Sequence, residues 1–223
     1  MADRPFIDWD WIAEHLDDVV EKLGQHLTLL VIPMVAGFAI SLALAILALR
    51  RPGTVGPVTI ATGLLYTVPS LAAFAVLRPI FGLSLWTAVI PLATYTLLIL
   101  YRNIVAGFRA VPPEIHEAAL GMGYTARARL LRVELPLAVP LIMAGVRLAS
   151  VTTIGLVTIA SVIGADKFGG FGQFITEGLQ TNFTTKIYLG AVLSVVLAFA
   201  VDGLLVLVER ALTPWARARA ARG

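Results

Sequence analysis

The sequence predicts an all-α membrane protein with about five transmembrane helices, its N-terminus outside and its C-terminus inside. Three observations carry this expectation. Hydrophobic residues make up 58% of the 223 residues and charged ones only 14%, with a mean hydropathy of +0.87, whereas a soluble domain carries about 25% charged residues. Five apolar runs are each long enough to cross a hydrocarbon core, which takes about 20 helical residues. The bases are also unevenly shared between the connecting segments. With the N-terminus outside, the inner segments hold Arg50, Arg51, Arg102, Arg109, Arg127, Arg129, Arg132, Arg210, Arg217, Arg219 and Arg222. The outer ones hold only Arg4, Lys22, Arg78, Lys167 and Lys186. The excess of bases marks the inner side.

The predicted spans are residues 27–49, 55–77, 79–101, 135–162 and 187–208. Backbone polar groups cannot go unpaired in lipid, so apolar runs of this length must be helical. The first three carry no charge except at their boundaries. The fourth is interrupted by Arg147 and the fifth by Asp202. Charges inside spans call for partners, and structural pairing is the favoured reading for both. Arg147 can pair with Asp202 or with backbone carbonyls, and Asp202 can pair or snorkel to the inner end. Thr67, Pro69 and Ser70 can break or kink the second run. Residues 1–26 read as an outer-face segment. Within it, residues 5–23 mix Trp9, Trp11 and aliphatic residues with acids, as in an amphipathic helix at headgroup level. That acidic start is the opposite of a basic signal-peptide terminus, so no cleaved signal is expected. Residues 27–208 form the transmembrane domain, and residues 209–223 a basic inner tail.

Several chemistries find no footing here. The chain has no cysteine, which excludes disulfide frameworks and thiolate metal sites. His15, His26 and His116 show no ligand spacing, so neither a metal site nor a catalytic site is expected. Gly121-Met122-Gly123-Tyr124-Thr125-Ala126 fits a G-x-G-x-x-A pattern, but a dinucleotide site needs that run between a strand and a helix. Each lysine is followed by Leu, Phe or Ile, so no phosphate-binding G-K-[ST] sequence is present.

The long inner connection, residues 103–136, holds the most specific pattern. It reads Glu117-Ala118-Ala119, three residues, Gly123, nine residues, then Val133-Glu134-Leu135-Pro136. Pro112 and Pro113 are suited to open a short helix, and Gly123 to end it with a positive φ. A second helical piece follows over residues 125–133. This spacing resembles the EAA loop of bacterial ABC importer permeases (E-A-A, three residues, G, nine residues, I-x-L-P), with Val133 in place of the usual Ile. The resemblance implies that Glu117, Ala118, Ala119, Gly123, Val133, Leu135 and Pro136 couple the chain to a separate ATPase subunit. That subunit would bind ATP and Mg, leaving this chain without a cofactor or catalytic role.

Further stretches resemble the osmoprotectant branch of these permeases, which import glycine betaine, choline and carnitine. They are Tyr66-Thr67-Val68-Pro69-Ser70-Leu71-Ala72, Tyr101-Arg102-Asn103-Ile104, the run from Glu134 to Arg147, and Ile163-Gly164-Ala165. The resemblance implies a type I (MetI-like) importer fold in a bacterial cell membrane. It also implies a pair of permease subunits, alike or different, on two ATPase subunits, with an external binding protein delivering the solute and no nucleic-acid partner. Aromatic faces attract quaternary ammonium ions, which makes Tyr66 and Tyr95, with Pro69 and Ser70 at the break, candidate pore residues. Trp86 is a further aromatic face. Alternative expectations keep the permease with another small solute, such as an amino acid or organic anion, or replace it by an ATPase-independent secondary transporter or channel. The latter calls for coupling charges at the midplane and a repeat, and no repeat is visible.

Overall fold

The computed structural model of the chain describes residues 5–163 and 168–215, and within these it is helical with no strand. Gly164, Ala165 and the bases after Trp215 lie outside the described residues. A short helix α1 (Trp9–Glu14) starts where the Asp8 side chain accepts the Trp11 N–H at 3.0 Å. After a break at His15, α2 (Leu16–Arg50) runs unbroken to the far end of the bundle. It therefore begins well before residue 27. The acidic stretch expected as one amphipathic helix is divided between α1 and the first turns of α2, where Asp10, Glu14, Asp17, Asp18 and Glu21 are exposed. Nothing between Leu16 and Leu27 stops a helix, and the Gln25–Glu21 contact at 2.7 Å is of the i,i+4 kind that supports one.

The second apolar run is two helices, α3 (Val55–Thr67) and α4 (Ser70–Phe81), which meet at an 85° bend. Pro69 supplies no N–H and forces Val68 out of the helical region, and Val68 is indeed extended at ψ 127°. Because α4 reaches Phe81 before Gly82 ends it at φ +63°, the third span starts at Leu85 rather than Pro79. It is α5 (Leu85–Arg109). The loop helices α6 (Pro113–Gly121) and α7 (Ala126–Arg129) follow, then α8 (Leu135–Ala160), α9 (Gly172–Thr181) and α10 (Thr184–Leu212). Among the described residues, four helices are long and apolar enough to cross a membrane, and up to five spans result if the bent pair counts as one.

The core is a three-helix sandwich in which α2 and α5 run the same way and α8 runs against them. At one end Leu29, Phe74, Ala88, Val89, Leu92, Val157 and Ala160 pack together. At the other, Ala45, Ala48, Tyr101, Ile104, Val105, Ala138 and Ile142 do so. Small residues on α2 and α8 let the helices approach as closely as membrane bundles require. In contrast, α10 buries only Thr185, Gly190 and Ser194 and leaves Phe199, Leu204 and Leu207 on its outer surface. An apolar helix so little covered by protein has lipid as its solvent.

Candidate functional site

The loop between α5 and α8 forms its first helix because Pro112, extended at ψ 139°, hands over to Pro113 at the first helical position. A proline there loses nothing, since the first N–H groups of a helix have no partner in it. The helix ends at a Schellman turn. Tyr124 N–H reaches the Ala119 carbonyl at 3.1 Å, Gly123 N–H reaches that of Leu120 at 2.9 Å, and Gly123 has φ +78°. The positive φ expected of Gly123 is therefore present. Ala119 faces inward and is buried, while Glu117 and Ala118 face out. Beside them Leu120 is 51% and Met122 68% exposed.

The second piece is shorter than the expected 125–133 helix. Thr125 caps α7 by accepting the Ala128 N–H at 3.3 Å, and α7 then widens into a π turn over Leu130–Glu134. Val133, Leu135 and Pro136 are half-buried where α8 begins. The predicted loop residues thus separate into an exposed group on α6 and a root at the start of α8. Glu134, the variable position of the pattern, is the residue that sequence reasoning missed. Its Oε1 accepts from Arg129 Nε at 2.7 Å and lies 3.0 Å from His116 Nδ1.

At the α3–α4 break, Tyr66 and Tyr95 meet edge to face, with ring centroids 5.9 Å apart and planes at 77°. The Tyr95 hydroxyl donates to the Val68 carbonyl, which the break has freed from helical pairing. Tyr66 is 38% exposed and Tyr95 only 6%, so one ring is presented and the other supports it. Pro69 and Ser70 stand at the break itself. Trp86 sits about 13 Å of helical rise away from Tyr95 along α5 and is not part of this group.

The two charges within the spans find each other. Arg147 on α8 donates from Nε and Nη2 to the two oxygens of Asp202 on α10, at 2.8 and 3.0 Å. Its Nη1 stands 3.6 Å from Glu209. The planar fork matches the carboxylate at both ends, and this pairs α10 to α8, one of the arrangements the sequence left open.

Comparison with known proteins places this architecture. The family model described as "Binding-protein-dependent transport system inner membrane component" matches residues 37–214. A carnitine transport permease protein, OpuCB of Listeria monocytogenes, is 37% identical over 213 residues, covering 96% of each chain. A choline transport system permease protein, OpuBB of Bacillus subtilis, is 34% identical over 197 residues, covering 88% of this chain and 89% of that one. Among solved structures, the inward facing MetNI methionine ABC transporter superposes with a TM-score of 0.72 at 21% identity. That match covers 93% of this chain and all of the other. The chain belongs to the binding-protein-dependent transport system inner membrane components: it is a non-catalytic, multi-pass permease subunit of an ABC importer, a kind of subunit that works with an ATPase and a substrate-binding protein.

Proposed function

We propose that this permease imports osmoprotectants of the quaternary-ammonium type, with glycine betaine, choline and carnitine as the candidate solutes. The observation that carries the reading is the agreement among relatives aligned over most of the chain. Besides the choline and carnitine permeases, an osmoprotectant import permease protein, OsmW of Salmonella typhimurium, is 35% identical over 195 residues, covering 85% of this chain and 89% of that one. The exposed aromatic face of Tyr66, braced by Tyr95 beside Pro69 and Ser70, suits a passing quaternary cation and supports the same reading.

In this proposal the N-terminus is outside and the α6–α7 loop inside. Glu117, Ala118, Leu120 and Met122 form the face that meets the ATPase, which holds ATP and Mg. Ala119 and Gly123 shape α6, and Val133, Leu135 and Pro136 root the loop in α8. A second permease subunit, identical or related, completes the pathway. Reconstitution with the ATPase and the binding protein tests the function. ATP-dependent uptake of radiolabelled choline, betaine or carnitine is expected, and uptake without the ATPase would sink the importer mechanism. Single cysteines at Asp8 and Arg127 in this cysteine-free chain test orientation. An impermeant maleimide should label the first from outside and not the second.

A further inference from the structure

One carboxylate joins three segments of the loop. Glu134 contacts Arg129 at the end of α7 and His116 in α6, and it stands immediately before the first residue of α8. Its side chain is 16% exposed and that of Arg129 18%, so water does little to screen this charge-assisted bond.

The contact depends on an unusual register. Two residues five apart on a straight α-helix point about 140° away from each other, so Arg129 and Glu134 would not meet. The π turn changes this, because its i→i+5 bonding is wound more widely and brings residues five apart toward one face. Leu135 N–H accordingly reaches back to the Leu130 carbonyl. Pro136 gives the turn its cause. It has no N–H for the Arg132 carbonyl, and in α register its ring would crowd that group. The proline that starts α8 thus displaces the chain into the register that the ion pair requires.

Apart from the contact of His116 with Glu134 at 3.0 Å, α6 has little lateral support. Ala119 is its only buried residue, and a Cβ at Gly121 or Gly123 would meet nothing within 4 Å. The turn between α6 and α7 therefore has free space beside both glycines and offers a pivot.

We propose that Glu134 is the positioning residue of this loop. It ties α6 through His116, and α7 through Arg129, to the first turn of α8. A displacement of α6 by the ATPase is then carried into the span instead of being absorbed at the Gly121–Gly123 turn. The proposal rests on the reading of α6 as the ATPase contact.

The test uses the complete transporter in proteoliposomes. A photoreactive maleimide on Ala118→Cys reports contact with the ATPase, while uptake and hydrolysis are measured together. In Glu134→Ala the crosslink and the hydrolysis are expected to persist, while solute moved per ATP falls by about fivefold or more, as for loss of an orienting charge-assisted pair. Glu134→Gln, which keeps the shape and one acceptor, should fall between. The exchange Arg129→Glu with Glu134→Arg should recover the larger part of the loss. The proposal is overturned if Glu134→Ala and Glu134→Gln both keep solute per ATP within about twofold of wild type, a change too small for such a pair. It is equally overturned if Glu134→Ala abolishes the crosslink, since the residue would then serve only to fold the loop. Absence of the crosslink with Glu134 intact would instead remove the α6 reading, and the proposal with it.

Discussion

The two ends of the bundle are held by different physics. At the end that carries α1 and α9, backbone lies against backbone. Gly170, at φ +52°, places its Cα where a side chain would strike His26, and Phe171 N–H is accepted by the buried His26 Nδ1 at 3.3 Å. A Cβ on Gly172 would lie 2.5 Å from the Thr158 Cα and 2.6 Å from its carbonyl oxygen. Trp11 closes the same end, its edge contacts with Phe174 and Phe183 at 6.4 and 5.3 Å. At the opposite end the α6 helix has one buried residue, two open glycines and a single carboxylate holding it. Close packing has one solution and resists displacement. A helix with one buried residue and one side-chain tie can be moved as a unit and set back. If α6 meets the ATPase as proposed, a rigid closure and a movable lever sit at opposite ends of the same helices.

The comparison breaks first at the packed end. Gly172→Val has to push rigid backbone on α8, so a loss toward the upper end of the roughly 1–3 kcal/mol typical of overpacking is expected. It would appear as a large fall in melting temperature in detergent and loss of a monodisperse species. Survival of a wild-type melting temperature would mean that the α9 end is looser than its contacts imply. Next comes the ion pair between α8 and α10. Arg147→Leu leaves Asp202 without its partner, whereas Arg147→Leu with Asp202→Leu removes both charges. The single variant should be clearly the less stable of the two in the same melting assay; equal values would deny the pair a structural role.

Smaller effects are expected at the movable end. Gly123→Ala meets no neighbour, so its cost is that of a positive φ, about 1 kcal/mol, with the protein still folded. If Gly123→Ala proved as damaging to stability as Gly172→Val, the contrast between the ends would fail. Met122→Ser should change stability by less than about 0.5 kcal/mol, the usual range for a surface site, yet weaken pull-down of the ATPase subunit. A strongly destabilised Met122→Ser chain with undiminished pull-down would contradict the loop's assignment.

Much of this arrangement was legible in the sequence, for identifiable reasons. Spans announce themselves through lipid's demand for long apolar helices, and the glycine of the loop through the turn that only it makes readily. That Arg147 and Asp202 need partners followed from the cost of leaving either charge alone, while their pairing with each other was one of the arrangements left open. The 85° bend was legible only as a possibility, because hydropathy is continuous across Thr67 to Ser70 while the break is a matter of one missing N–H. The early start of α2 was hidden by its acidic composition, which reads as a surface helix whether or not a span follows directly. Glu134 was invisible for a deeper reason. It occupies the free position of the motif, and its meeting with Arg129 requires a π register that no α-helical spacing rule anticipates.

The Arg147–Asp202 pair also has a consequence for how the chain enters the membrane. Synthesis delivers α8 before α10, so Arg147 reaches the bilayer with its partner still unmade. For that interval the fourth span carries an uncompensated guanidinium, a poor substrate for partition into lipid. It has to remain near water or protein, held by the aliphatic length of its own side chain. Arrival of Asp202 ends that state, so the last helix acts as the licence for its predecessor to settle. A chain truncated before residue 202 and released from the ribosome should therefore leave α8 readily extracted, and one truncated after Leu212 should not.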